Sequence, residues 1–68
     1  MTIELNGDRI EVRAGASVAE LVEHTGAGGD RRGVAVAVDG EVVPRSVWEE
    51  TVVSDGQKVE VVGAIQGG

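Results

Sequence analysis

The opening of the chain alternates between polar and apolar side chains on both sides of an Asn-Gly pair. Residues 2–6 and 9–13 each show the period of two that is typical of a half-buried strand. Asn6-Gly7 is a strong signal for a two-residue turn, because both positions tolerate positive φ. The pattern predicts a β-hairpin whose apolar side chains share one face, namely Ile3, Leu5, Ile10 and Val12.

A helix is predicted to follow this hairpin. Its apolar positions recur at helical spacing, at Val18, Leu21 and Val22. Ser17 and Glu20 have the spacing of a capping box, in which the hydroxyl accepts the amide of residue 20 and the carboxylate reaches back to the amide of Ser17. Gly26 is placed to end the helix. We therefore expect two to three turns of helix covering the apolar face of the hairpin.

The next strands are predicted from a continuous apolar run and a second tight turn. Residues 34–38 read Val-Ala-Val-Ala-Val, as expected of a largely covered strand. Asp39-Gly40 then leads into a short strand at 41–43. Pro44 lacks a backbone N–H and so marks the end or edge of that strand.

The last elements complete a recognisable architecture. Residues 45–50 predict one helical turn with Val47 and Trp48 against the domain, and residues 58–62 predict a final alternating strand. A single helix packed on a mixed sheet of four to five strands buries these faces economically. The expected fold is α+β, of the β-grasp or ubiquitin-like type, as one domain over residues 1–65.

Composition narrows the possible partners and compartment. The chain has 68 residues, a formal net charge of −6, no Cys and one His, so neither a disulfide nor a metal cluster can staple it. An acidic surface does not suit nucleic acid or an anionic membrane. It suits a basic protein surface, or it simply keeps the domain in solution. With no apolar stretch of about 20 residues and no signal-peptide pattern, we expect a cytoplasmic protein that is monomeric on its own.

The side chains are poorly suited to catalysis. His24 has no second His or Cys to share a metal and is expected on the exposed side of the helix. Adjacent Glu49 and Glu50 are expected to form a solvated acidic face, since neighbouring residues rarely face each other. The Gly-rich loop at 26–33 has no nucleotide-binding motif. An autonomous enzyme is therefore not expected.

One reactive group remains, the carboxylate of the final Gly67-Gly68 pair. It is ionised at neutral pH, and it can therefore attack the α-phosphate of ATP. Glycine has no Cβ, which would let an extended tail thread a narrow channel to the nucleotide of an activating enzyme. We expect residues 66–68 to form a flexible tail. The alternative is an ordinary frayed terminus, which is often rich in small residues.

Nearly the whole chain resembles the ThiS family, the small sulfur carriers of thiamine biosynthesis. The most specific stretch is 38–48, which looks like that family's hairpin ending in Val-Pro-Arg-x-x-Trp; residues 55–62 and 64–68 resemble its closing strand and tail. The Gly-rich loop is the least family-like part.

The resemblance implies a cycle. An E1-like adenylating enzyme would use ATP to form an acyl-adenylate at Gly68, and a sulfur donor such as a cysteine desulfurase would convert it to a thiocarboxylate for thiazole synthase. No cofactor would be bound stably. Gly68 would carry the chemistry and Gly67 would give clearance, while three residues position the arm, namely Ala64, Ile65 and Gln66.

Three alternatives stay open at this point. Arg45 and Trp48 either stabilise the end of the second hairpin or contact a partner. The carrier could serve another pathway, as the small subunit of molybdopterin synthase does. Finally, the chain could be a ubiquitin-like binding module whose Gly-Gly is incidental, in which case removal of Gly68 would leave its activity unchanged.

Overall fold

The computed structural model describes residues 1–25 and 33–63. Five strands form one mixed sheet in the order β2-β1-β5-β3-β4, in which only β1 and β5 are parallel. The elements, in chain order, are β1 (Thr2–Leu5), β2 (Asp8–Glu11), α1 (Val18–His24), β3 (Val34–Val38), β4 (Glu41–Val42), a 3-10 turn (Arg45–Val47) and β5 (Lys58–Gly63). The predicted mixed sheet with one main helix is confirmed.

The opening hairpin forms as the alternation predicts. Ile3 on β1 lies opposite Ile10 on β2, and the two strands are joined by a turn in which Asn6 has φ 51° and Gly7 has φ 88°. Both residues are in the left-handed region that this tight turn requires, which Gly adopts without strain and Asn tolerates.

The core lies between one face of the sheet and α1. The helix buries four residues, Val18, Ala19, Leu21 and Val22. The strands contribute Ile3, Leu5, Val36, Val59 and Val61, and partly buried residues such as Ile10 and Val12 pack against them. Burying each large side chain of this kind contributes about 1.5–3 kcal/mol. Within the described residues every buried side chain is apolar, so the sheet has one apolar face and one face turned to solvent.

The capping box at the start of α1 is only half formed. The Ser17 hydroxyl accepts the amide of Glu20 at 3.3 Å, as predicted. The carboxylate of Glu20, however, accepts two hydrogen bonds from the guanidinium of Arg13: Nε donates to Oε1 at 3.1 Å, and Nη2 donates to Oε2. It does not reach back to the amide of Ser17. That prediction was wrong because a charged fork on the preceding loop is a stronger partner for a carboxylate than an amide. The contact raises the pKa of Arg13.

The length of the helix is at the lower end of the two to three turns predicted. It has seven residues, which make about two turns, and Thr25 is its C-cap. The hydroxyl of Thr25 donates to the carbonyl of Val22 at 2.7 Å. The predicted stop at Gly26 and the Gly-rich loop lie outside the described residues, except for Gly33, which precedes β3.

Candidate functional site

The residues expected to form the reactive arm all lie outside the described residues: Ala64, Ile65, Gln66, Gly67 and Gly68. The predicted domain boundary at 65 and the tail at 66–68 therefore stay predictions. The strand that leads to the arm is described up to its last residue, Gly63. The candidate site is therefore described through the contacts that this strand makes with its neighbouring strands and turns.

Strand β5 runs through the middle of the sheet. On one side it pairs with β3 over five residues, from Val59 opposite Val38 to Gly63 opposite Val34. On the other side the parallel ladder with β1 reaches only Leu5 opposite Val59. The opening hairpin and the final strand therefore meet at the centre of the sheet. The arm therefore leaves from the central strand and not from an edge.

Two hairpin turns bind β5, each through one backbone amide and one side-chain oxygen. Asn6 donates its amide to the carbonyl of Val59 at 2.9 Å, and its Oδ1 accepts the amide of Val61 at 2.8 Å. Asp39, which has the same φ of 51°, donates its amide to the carbonyl of Lys58 at 2.7 Å and accepts the Lys58 amide on Oδ1 at 3.0 Å. The first turn therefore holds β5 at Val59 and Val61, and the second holds the first residue of the strand, Lys58. Both turns could be predicted from the sequence, whereas these contacts could not.

The solvent face of the sheet carries an apolar patch beside the end of β5. Val62 pairs with Ala35, and Val42 pairs with Ala37. The two valine side chains are 61% and 74% exposed, respectively. We call these four residues the outer-face patch. The available signal was the consecutive pair Val61-Val62, since adjacent strand residues point to opposite faces and one of the two had to face solvent.

Trp48 and Arg45 flank the same 3-10 turn, but Trp48 is buried and Arg45 is exposed. The indole is 1% exposed and donates its Nε1–H to the carbonyl of Val43 at 2.9 Å. The carbonyl of Trp48 accepts the amide of Ala19 at 3.2 Å, which ties the turn to α1. Arg45 is exposed at the start of the turn. The indole therefore packs inside the domain, while the guanidinium is accessible.

The side chains weighed as catalytic candidates in the sequence lie on the surface. His24, Glu49 and Glu50 are all exposed. Over residues 1–25 and 33–63, no three His, Asp or Glu side chains come together as a group able to hold a metal ion. The same part of the chain contains no helix long and apolar enough to cross a membrane.

Comparison with known proteins places the chain in a family. The model of the ThiS family matches residues 2–68. The sulfur carrier protein ThiS of Escherichia coli is 34% identical over 70 residues, and the match covers all of both chains. A thiazole synthase of Paramagnetospirillum magneticum is 37% identical over 68 residues. The chain spans only 20% of the length of that second relative.

Solved structures agree with this placement. The crystal structure of the thiamine biosynthesis protein ThiS from Geobacter metallireducens has a TM-score of 0.80 at 30% identity, with both chains fully covered. An NMR structure of a thiamine biosynthesis protein from the same organism has a TM-score of 0.79 at 28% identity, covering all of this chain and 88% of the other. The resemblance read from the sequence is confirmed, and the chain belongs to the ThiS family.

Proposed function

We propose that this chain acts in the cytoplasm as the sulfur carrier of thiamine biosynthesis and carries the sulfur atom on the carboxylate of Gly68. The observation that supports this most directly is the match to the sulfur carrier protein of Escherichia coli, which spans both chains in full. The fold is consistent with the role, because the residues before the arm form the central strand of the sheet. The domain is a handle for the arm and not itself a catalyst.

The chemistry has two displacement steps. The carboxylate of Gly68 attacks the α-phosphate of ATP, so that a C–O–P bond forms and pyrophosphate leaves. A thiol first reduces the persulfide of a donor such as a cysteine desulfurase, which releases sulfide and leaves a disulfide. The sulfide then attacks the acyl carbon and displaces AMP, which leaves a thiocarboxylate. The chain has no Cys or Tyr, so the ATP site and the proton-transfer groups are supplied by an E1-like adenylating enzyme.

The outer-face patch is the surface on which we place docking of the adenylating enzyme. Exposed valines on a strand are typical of protein interfaces when they form a continuous patch. Val62 directly precedes Gly63, the last described residue before the arm. An enzyme bound at this patch would therefore hold the domain close to the base of the arm. The acidic net charge of −6 would favour a basic rim around the complementary surface.

Thiazole synthase is the proposed acceptor of the sulfur. In the Paramagnetospirillum magneticum relative, a segment 37% identical to this chain makes up 20% of a protein named thiazole synthase. Joining two modules on one chain raises the effective concentration of each for the other. A carrier that must hand its cargo to a synthase would benefit from such a connection, and the separate chain would meet the synthase by binding.

Intact-protein mass spectrometry tests the carrier function. The protein is incubated with ATP, the adenylating enzyme and a sulfur donor. We expect a mass increase equal to the exchange of one oxygen for sulfur, located at Gly68 by fragmentation. A variant lacking Gly68 should stay unmodified. Absence of the shift with an enzyme that modifies its own carrier would exclude the proposal. Transfer of the sulfur to thiazole synthase, but not to a molybdopterin synthase large subunit, identifies the pathway.

A matched pair of variants tests the docking surface. Val62→Asp places a charge in the outer-face patch, and Val52→Asp places the same charge at an exposed valine outside the strands, 55% exposed. We expect Val62→Asp to raise the KM for the carrier in the adenylation reaction by tenfold or more, since a buried unpaired charge at an interface is costly. Val52→Asp should leave KM within about twofold. Equal effects of the two variants would place docking elsewhere.

A further inference from the structure

The turn between β1 and β2 completes the hydrogen bonding of β5 where β1 has already ended. In a regular parallel ladder, the carbonyl of residue 6 would accept the amide of Val61. Asn6 is in the left-handed conformation with φ 51°, which turns its main chain away into the hairpin. Its side-chain Oδ1 accepts the Val61 amide instead, at 2.8 Å. A side-chain amide therefore takes the place of the missing main-chain carbonyl.

This contact lies close to the base of the arm. Val61 is 9% exposed and lies two residues before Gly63. On the β1 side, the next described hydrogen bond back along the strand is the one from the Asn6 amide to the carbonyl of Val59. Without the Asn6 acceptor, the last residues of β5 would be held through β3 alone. On the β1 side, the last hydrogen bond that holds β5 would then be the one at Val59.

From this geometry we propose that Asn6 is a positioning residue for the reactive arm, an inference that rests on the proposed carrier function. By holding Val61, it sets the point from which residues 64–68 extend into the adenylating enzyme. With β5 held by β3 alone, its last two residues open from β3 more often. Each such opening moves that point by about 7 Å, since an extended chain spans about 3.3 Å per residue. A longer free segment lowers the effective concentration of its end at a fixed target, and a misplaced nucleophile lowers the rate of the chemical step.

The second hairpin turn supplies a matched control. Asp39 has the same φ, is also followed by glycine, and also accepts a β5 amide with its side chain. Its partner, Lys58, is at the start of the strand, five residues before Gly63. Asn6→Gly and Asp39→Gly therefore both remove a side-chain acceptor of a β5 amide and keep the left-handed turn. Asp39→Gly also removes the hydrogen bond that Gln57 Nε2 donates to Oδ2 at 3.1 Å. Asn6→Asp keeps an acceptor oxygen and tolerates the same φ, so it serves as the conservative rescue.

The first measurement is amide hydrogen exchange of the free protein by NMR. For Asn6→Gly we expect protection at Val61 and Val62 to fall about tenfold beyond the loss at core amides such as that of Val36, as expected for loss of one hydrogen bond in a local opening. Asp39→Gly should reduce protection at Lys58 and leave Val61 unchanged. Equal protection of Val61 in wild type and Asn6→Gly would overturn the anchoring step.

The second measurement is the kinetics of adenylation, at a temperature where every variant is folded. We expect Asn6→Gly to lower kcat about tenfold with KM within twofold, because docking is intact but the carboxylate is misplaced. Asn6→Asp should restore kcat, and Asp39→Gly should resemble wild type. Equal losses of kcat in the two Gly variants would mean general destabilisation and overturn the inference. Failure of wild type itself to be adenylated would overturn the proposed function instead, and the exchange data would still decide whether Asn6 anchors β5.

Discussion

Replacing Trp48 with Phe gives the sharpest test of how this small domain holds together. The indole is the only aromatic side chain in the sequence and is 1% exposed. Phe keeps an aromatic ring but loses the Nε1–H that donates to the carbonyl of Val43 at 2.9 Å. Leaving that carbonyl without its partner costs about 1 kcal/mol. The smaller ring leaves a void worth about a further 1–2 kcal/mol.

A total near 2–3 kcal/mol is large for a chain of this length. At about 0.05–0.15 kcal/mol per residue, a 68-residue domain has a free energy of unfolding of about 3–10 kcal/mol. For such a domain each kcal/mol shifts Tm by about 4–8 °C, so Trp48→Phe should lower Tm by about 10–20 °C. Trp48→Ala, with a loss of about 3–5 kcal/mol, would leave little folded protein and is therefore less informative.

The assay combines stability with function. Unfolding is followed by far-UV circular dichroism in urea, because the variant lacks its fluorescent residue; the midpoint should fall with an unchanged m value. At low temperature, where the variant is folded, thiocarboxylate formation should match that of wild type. A Tm within about 2 °C of wild type would refute the core role derived from burial. A folded Trp48→Phe protein that is loaded slowly would instead favour partner contact. Arg45→Ala, at the exposed start of the same turn, is the control and should not change Tm.

The remaining predictions concern local structure and are checked by thermal melts. Ser17→Ala removes the side-chain cap of α1 and should lower stability by about 1 kcal/mol, whereas Glu20→Gln should leave Tm nearly unchanged because its pair with Arg13 is exposed. Equal losses would indicate that the reciprocal capping box forms after all. Gly7→Ala should cost about 1–2 kcal/mol through its φ of 88° alone, since an added Cβ meets nothing within 4 Å. Gly40→Ala, with φ 85° and the same open space, should behave alike; an unchanged Tm in either would show that the turn relaxes.

Features set by neighbouring residues could be predicted, and those set by distant ones could not. The Asn6-Gly7 hairpin follows from alternation and turn chemistry, both of which act over a few residues. The contact between Asn6 and Val61 joins residues 55 apart and exists only because β5 returns beside β1. No local pattern contains that information.

The capping box shows a different limit of sequence reasoning. The motif predicts a partner for Glu20 only among nearby residues of the helix start, namely the amide of Ser17. The loop before the helix, however, brings Arg13 within hydrogen-bonding distance of Glu20. A charged donor then wins over a neutral amide. The outer-face patch required strand register in the same way, since it depends on which residues lie opposite Val62 and Val42. Sequence motifs such as the capping box compare only partners that are close in the sequence.

The central position of β5 limits where a partner can carry out its chemistry. Gly63 is held in the ladder with β3, so the arm from there to Gly68 consists of five residues. Fully extended, five residues span at most about 17–18 Å. If the strand stays paired, the proposed function requires the nucleotide of the adenylating enzyme to lie within that radius of Gly63 in the docked complex. A partner bound to the outer-face patch at Val62 meets this condition, whereas one bound at the far end of β5, near Lys58, would have to cover a further five residues of strand. A structure of the complex with more than about 18 Å between Gly63 and the α-phosphate would therefore require β5 to unpair on binding.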